Sequence, residues 1–181
     1  MDKDEDIALV AACREGDRVA LETLVRRFEK PVYNAAYRML GNADEAADVT
    51  QATFLKLIEN IHRFNPQFRL FSWIYRIAIN EALDQLYRRR RLEPFEETSA
   101  DDGDATDDTV AQFQLSKGVQ RVLMELSEEH RVVIVLRYFS ESSYAQIGEM
   151  LDLPEKTVKS RLFSARRDLK ARLESHGILS P

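Results

Sequence analysis

The chain has 181 residues and a formal net charge of −5, long enough for one sizeable core or two small ones. Its single cysteine, Cys13, excludes a disulfide framework and a cysteine-based zinc site, and fits a reducing compartment. The negative total argues against a polyanionic partner only if the charge is evenly spread, and it is not.

The N-terminal stretch "MDKDEDIALVAAC" is acidic where a secretory leader is basic, and its apolar run is too short to span a bilayer. The expected location is cytoplasmic, with no membrane insertion of its own. From there onward apolar residues recur at three- and four-residue spacing and strand-like alternation is missing, which predicts an all-α protein. A short helix over residues 6–13 ends at Gly16, and Asp17 is suited to cap the next. "RVALETLVRRFEKPVYNAAYRML" predicts a second helix running to Gly41, with an interruption at Pro31. In the third, "NADEAADVTQATFLKLIENIHRF", one face holds Ala47, Thr50, Phe54, Leu57, Ile58 and Ile61. Asp44, Asp48, Gln51 and Leu55 line another, which by spacing alone reads as an ordinary solvated face.

A loop over residues 65–71, opened by the Asn65-Pro66 turn pair, leads to a fourth helix over about 72–90. That helix should bury Tyr75, Ala78, Ile79, Ala82 and Leu86, leaving Trp73, Ile77, Asn80, Asp84 and Arg88 along a mixed face. Beyond Arg91 the composition changes: up to Lys117 there is no Lys or Arg, and eight carboxylates replace them. So little apolar surface cannot offset the entropy of ordering, and residues 93–112 read as a flexible acidic linker. The expected organisation is therefore two small helical domains, residues 1–92 and 113–181, joined by that linker. The negative charge sits in the linker and the extreme N-terminus, while both halves end in basic segments.

The C-terminal half predicts about four helical stretches, and two of them form a helix-turn-helix. "SYAQIGEML" is followed by the turn "DLP" and a longer helix from Glu155. Gly148 puts a small residue where two helices cross closely, and Val158, Leu162, Ala165, Leu169 and Leu173 form a buried stripe. Outside remain Thr157, Lys159, Ser160, Phe163, Ser164, Arg167 and Lys170, and residues 155–174 carry seven basic against three acidic side chains. A short helix, a tight turn and a second helix with a polar, basic free face suit insertion into the major groove. A helical hairpin with a solvated basic face is the competing reading.

"FRLFSWIYRIAINEALDQLYRRRR" sets four rings, Phe68, Phe71, Trp73 and Tyr75, ahead of four consecutive arginines. Rings beside arginines can stack unpaired bases, at about 1–3 kcal/mol per base, while the cations neutralise phosphates. Rings cannot reach bases inside a stacked duplex, so the partner this stretch suits is a melted strand. Tyr75 and Phe54 read as core, Trp73 suits either role, and Phe68, Phe71 and the arginine run favour nucleic acid.

Three blocks in this order resemble a bacterial sigma factor of the extracytoplasmic-function type within the sigma-70 family. "LETLVRRFEKPVYNAAYRMLGNADEAADVTQATFLKLIENI" is similar to the first part of the family's domain 2, and "WIYRIAINEALDQLYRRRR" to its promoter-melting part. "LMELSEEHRVVIVLRYFSESSYAQIGEMLDLPEKTVKSRLFSARRDLKARL" is similar to domain 4, which reads the −35 element. The resemblance implies that Asp44, Asp48, Gln51 and Leu55 grip the clamp coiled coil of the largest subunit of core RNA polymerase. It implies that residues 65–71 accept a flipped −10 base: Asn65, Phe68 and Phe71, with Trp73, Asn80, Asp84, Arg88 and Arg89 on the adjoining helix. Lys159, Ser160, Phe163 and Ser164, with Thr157, would face −35 bases, and Arg161, Arg166 and Arg167 phosphates. The linker would thread the polymerase's RNA channel, although a solvated tether explains its composition equally well. An anti-sigma protein is an expected further partner. Gln146, Asp152, Ser164 and Asn65-Pro66-Gln67 depart from the family's usual residues, which leaves the promoter sequence open.

No catalytic constellation stands out. His62, His130 and His176 lack metal-ligand spacing and there is no glycine-rich phosphate loop, so neither enzyme activity, metal nor cofactor is expected. The alternative function is a stand-alone helix-turn-helix regulator.

Overall fold

The computed structural model describes residues 3–92 and 110–179, and every regular element among them is helical. The first half comprises α1 (Lys3–Arg14), α2 (Arg18–Leu40), α3 (Ala43–Glu59), a 3-10 turn (Ile61–Arg63) and α4 (Leu70–Leu92). The second comprises α5 (Val110–Glu125), α6 (Glu128–Ile134) running into a π turn (Val135–Phe139), α7 (Tyr144–Leu151) and α8 (Glu155–Ser175). The expected acidic linker lies outside the described residues except where α5 begins.

Local signals set the helix ends. The Asp17 carboxylate accepts the Val19 and Ala20 amides at 2.8 and 3.2 Å, and Asn42 Oδ1 accepts the Glu45 amide at 2.9 Å. Between these caps Gly41 takes φ +71° and its amide donates to the Tyr37 carbonyl, closing α2. Pro31 does not interrupt α2. It removes one backbone donor, but Phe28, Val32, Ala35 and Ala36 around it are all buried, and their packing outweighs the lost bond.

α2, α3 and α4 pack on one another around Leu24, Phe28, Met39, Leu57, Leu70 and Ile74, with α1 laid against α2. Each such side chain contributes about 1.5–3 kcal/mol through removal from water. All five residues expected on the buried face of α4 are buried. On α3 the buried face is turned slightly from the expectation: Ala46 and Val49 go inside, while Ala47 and Ile58 stay exposed. In the second half α8 inserts Val158, Leu162 and Ala165 among Leu123, Val132, Leu136 and Ile147. Leu169 and Leu173, further along the stripe, are only half-buried.

The two halves touch. α4 lies against α7, and the C-terminal end of α2 against α5, α6 and the π turn. At the centre of that contact sits Arg131, buried on α6. Its guanidinium donates to the carbonyls of Leu123, Met124 and Leu126 at 2.8–3.0 Å, and to Met39 of α2 at 2.6 Å. These are acceptors at helix ends; Leu123 also takes the Leu126 amide at 3.2 Å, and one cation serves several of them. Burial pulls Arg131 down to about 10, with Glu128 opposing, so it stays charged at neutral pH.

Candidate nucleic-acid and polymerase interfaces

The first candidate site is a cavity of about 180 Å³ beside the loop that precedes α4. Phe64 and Trp73 form its aromatic wall, their ring centroids 5.4 Å apart and their planes tilted by 46°. Arg63, Asn65, Phe68, Ser72 and Arg76 complete the first half's share of the lining. The loop is held by its own chemistry: Asn65 Oδ1 accepts the Gln67 amide at 2.9 Å, and the Phe68 amide donates to the Asn65 carbonyl. Arg14 of α1 anchors it from outside, donating to the carbonyls of Ile61, His62 and Phe64. Phe68 is left about half exposed at the mouth. The Ser72 hydroxyl, buried in the wall, has no hydrogen-bond partner within the protein. An apolar slot with rings on one side, guanidiniums at the rim and one unsatisfied hydroxyl can hold an extrahelical base.

From Trp73 an open groove of about 440 Å³ continues past Ile77, Asn80 and Asp84 on α4, bounded by Lys56, Asn60 and Arg63. Asn65, Phe68, Trp73, Asn80 and Asp84 therefore share one face, and Arg88 is exposed further along the same helix. Two expected members do not join them. Phe71 lies in the first turn of α4 rather than in a loop, because the helix begins at Leu70. Its ring packs on Tyr75 with centroids 4.2 Å apart and does not line the cavity. Arg89 turns to α3, half-buried, with its guanidinium 3.5 Å from Glu45. Residues that line the cavity but were missed in the sequence are Arg63, Phe64, Ser72, Arg76 and, from α7, Glu149. The signal available was the ring of Phe64 immediately before the Asn65-Pro66 turn.

A second candidate is an apolar groove of about 530 Å³ between α2 and α3. Val25 and Tyr33 form one bank; Gln51, Phe54, Leu55 and Ile58 form the other. Leu55 and Ile58 are 56% and 41% exposed, high values for large apolar side chains with no structural need to face water. Asp44 and Asp48 are exposed on the same helix, so all four residues singled out on α3 are on the surface.

The third is the helix-turn-helix. Ser143 caps α7 and Gln146 returns the bond to the Ser143 amide, so glutamine does here what a glutamate does in a capping box. Asp152 ends α7 at φ +55°, a region that Asp enters more readily than most side chains. On α8, Lys159, Ser160, Phe163, Arg166 and Arg167 are exposed, Phe163 at 69%, while Thr157 and Ser164 are half-buried. Arg161 departs from the expected phosphate-facing set: its guanidinium lies 3.2 Å from Glu129 on α6. Tyr144 organises the free face. Its hydroxyl accepts from Arg166 at 3.2 Å, and Arg137 and Lys159 lie 5.4 and 5.9 Å from its ring centre. The hydrogen bond from Arg166 and the three nearby cations hold that hydroxyl below its ordinary pKa.

Behind the free face, His130 and His176 meet Asp168 at 3.2 Å and Glu125 at 2.7 Å, pairs that tie α8 to α6 and α5. Among the described residues no group of three or more His, Cys, Asp or Glu side chains is placed to hold a metal ion. Nor is any helix among them long and apolar enough to cross a membrane.

Both halves of the chain resemble known proteins. The family model for Sigma-70 region 2 matches residues 24–92, and that for Sigma-70, region 4 matches residues 116–169. The ECF RNA polymerase sigma factor SigW of Bacillus subtilis is 32% identical over 173 residues, covering 88% of this chain and 92% of its own. The ECF RNA polymerase sigma-E factor of Haemophilus influenzae is 32% identical over 181 residues, covering 93% and 95%. Among solved structures, CnrH in complex with the cytosolic domain of CnrY matches with a TM-score of 0.75 at 28% identity, over 96% of this chain and 99% of that one. The sigma factor RpoE of Bartonella quintana, solved with the anti-sigma factor NepR, shares the fold at a TM-score of 0.73 and 22% identity, covering 84% of this chain and 96% of its own. The chain belongs to the extracytoplasmic-function sigma factors of the sigma-70 family.

Proposed function

We propose a division of labour among the three surfaces of this sigma factor, which as a family member directs RNA polymerase to promoters. Residues 1–92 act as domain 2. Their α2–α3 groove, with Leu55, Gln51, Asp48 and Asp44, receives the clamp coiled coil of the core enzyme. The cavity under Phe64 and Trp73 takes a base of the −10 element from the melted strand, with Asn65 and Phe68 at its mouth and Asn80, Asp84 and Arg88 along the strand's path. Residues 113–181 act as domain 4. Lys159, Ser160, Phe163 and Ser164 face −35 bases, Thr157 sits at the edge of that face, and Arg166 and Arg167 reach phosphates. Residues 93–112 join the two.

The observation that carries this reading is the cavity itself. A duplex reader has no use for a base-sized apolar slot lined by three rings and an unsatisfied hydroxyl. Capturing unstacked bases holds the bubble open, and the chemistry belongs to the polymerase, so the sigma factor works without catalysis and in the cytoplasm. An anti-sigma protein is a natural further partner: the similar CnrH was solved with the cytosolic domain of CnrY, and RpoE of Bartonella quintana with the anti-sigma factor NepR.

Run-off transcription with bacterial core polymerase tests the reading. Transcripts should start at a defined site only when both proteins are present, with permanganate-reactive thymines around that site. A stand-alone regulator would instead bind its operator with ordinary specific affinity in the absence of polymerase.

A further inference from the structure

The first half contributes two kinds of lining to the cavity beside α4. Ser72, Trp73 and Arg76 stand on α4 itself, while Arg63, Phe64, Asn65 and Phe68 come from the 3-10 turn and the loop behind it. A helix holds its side chains in place through its own hydrogen-bond ladder, whereas an irregular segment needs support from outside. Bonds within the segment are local: the Phe64 amide donates to the Ile61 carbonyl at 3.3 Å, and the Phe68 amide to the Asn65 carbonyl at 3.1 Å. They shape the turn without fixing it against α4.

α1 supplies the outside support. Its inner face is tied into the core by Val10 and Cys13, both buried, and by the buried Asp6 carboxylate, 3.0 Å from the Arg27 guanidinium of α2. From that anchorage the helix reaches the segment with both of its ends. At the C-terminal end Arg14 donates through Nε to the Ile61 carbonyl at 3.1 Å, and through Nη2 to the carbonyls of His62 and Phe64 at 3.3 and 2.7 Å. At the N-terminal end the Lys3 ammonium donates to the Gln67 carbonyl at 3.2 Å. The shortest of these bonds falls on Phe64, the residue whose ring packs against Trp73.

We infer that α1 is a splint for this cavity and that Arg14 is a positioning residue for base capture. The inference rests on the reading of the cavity as a base site. Arg14 is exposed, so in its absence water would solvate the three carbonyls and the fold would keep most of its stability. Register would be lost instead. Arg63, Phe64 and Asn65 would no longer be held at a set distance from Trp73, and a binding constellation has to be kept within about 0.5 Å of its working geometry. Lysine cannot take over the task. It keeps the charge, but it is a point donor on a flexible stem, where the guanidinium is a rigid fork that grips three acceptors at once.

Arg14→Lys in the full chain is therefore the test. Trp73 is the chain's single tryptophan, so its emission reports on the cavity without a label. In R14K that emission should shift to the red. Affinity for a fluorescein-labelled single-stranded 12-mer of mixed sequence, read by anisotropy at low ionic strength, should fall about tenfold, the effect of losing roughly one stacked base. Binding to the duplex 12-mer should stay within about twofold of wild type, because the charge is unchanged. The melting temperature should stay within about 4 °C. An unshifted emission, or strand binding equal to wild type, overturns the splint. Equal losses on single strand and duplex, or a much larger fall in melting temperature, give Arg14 a charge or folding role and overturn it as well. Phe68→Ala, at the exposed mouth, separates the inference from the reading beneath it. If F68A weakens strand binding and R14K does not, the base site stands and the splint fails. If F68A changes nothing, the base-site reading fails and the splint falls with it.

Discussion

Replacing Gly148 with alanine sets two effects of opposite sign against each other. In an exposed helix the change would gain about 1 kcal/mol of helix propensity. Here the added Cβ would lie 2.7 Å from the Leu153 carbonyl oxygen, some 0.7 Å inside ordinary contact. Neither side can yield cheaply. The obstacle is backbone, and the Leu153 amide donates at 2.9 Å to the Gly148 carbonyl across the same turn. Overpacking of this kind costs about 1–3 kcal/mol, so the net expectation is a loss of up to about 2 kcal/mol. For a chain of this size that lowers Tm by up to roughly 8 °C, at about 2–4 °C per kcal/mol. The relief available is to open the turn, which swings α8 relative to α7, so selectivity for the upstream element should fall more than stability does. Calorimetry and run-off transcription from promoters with intact and scrambled upstream elements measure both. A variant as stable as wild type and equally selective would refute the close approach on which the reasoning depends.

Leu55→Glu changes an exposed side chain and should leave the melting temperature within about 1 °C, yet weaken core-polymerase binding at least tenfold in a pull-down titration. Lys159→Ala with Phe163→Ala, both exposed, should abolish upstream selectivity while urea unfolding is unchanged. Asp168→Asn should cost about 1 kcal/mol at neutral pH. Burial alone would raise the Asp168 pKa, but hydrogen bonds from His130 and Arg172 outweigh it and hold the carboxylate below its ordinary value. The folded form therefore releases that proton more readily, and the stabilisation disappears as pH falls through the depressed value. Wild type and variant should converge in acid denaturation once the pH has fallen below that depressed value. Burial, and then Asp17, pushes the Cys13 thiol up, so iodoacetamide should modify it in the native protein only at the rate of local opening, and at once in urea.

Much of the fold was legible because its signals are local. Asp17, Gly41, Asn42 and Ser143 cap helices through atoms within four residues of themselves, and the α4 core stripe follows from period alone. Phe71 and Arg89 lie off the expected face for one reason. Periodicity shows which residues share a face but not where a helix begins or which neighbour a long side chain finds. Arg161 turned inward because Glu129 waits on another helix, 32 positions earlier in the chain. Pro31 was over-weighted, since its effect on a lone helix is large and its effect in a packed one is set by the surrounding core.

Sequence alone determined the all-helical class, the helix-turn-helix with its exposed Lys159, Ser160 and Phe163, the aromatic loop and the family. Each rests on spacing within one element or on an ordered set of blocks. Tertiary structure decided what needs partners far apart: Arg14 bracing the loop around Phe64, Ser72 left unsatisfied in the cavity wall, Arg131 reaching Met39, and Glu149 lining the same cavity as Arg63 and Arg76. Such contacts join residues separated by about fifty to more than ninety positions. Their energies depend on desolvation and distance, and neither exists until the chain has folded.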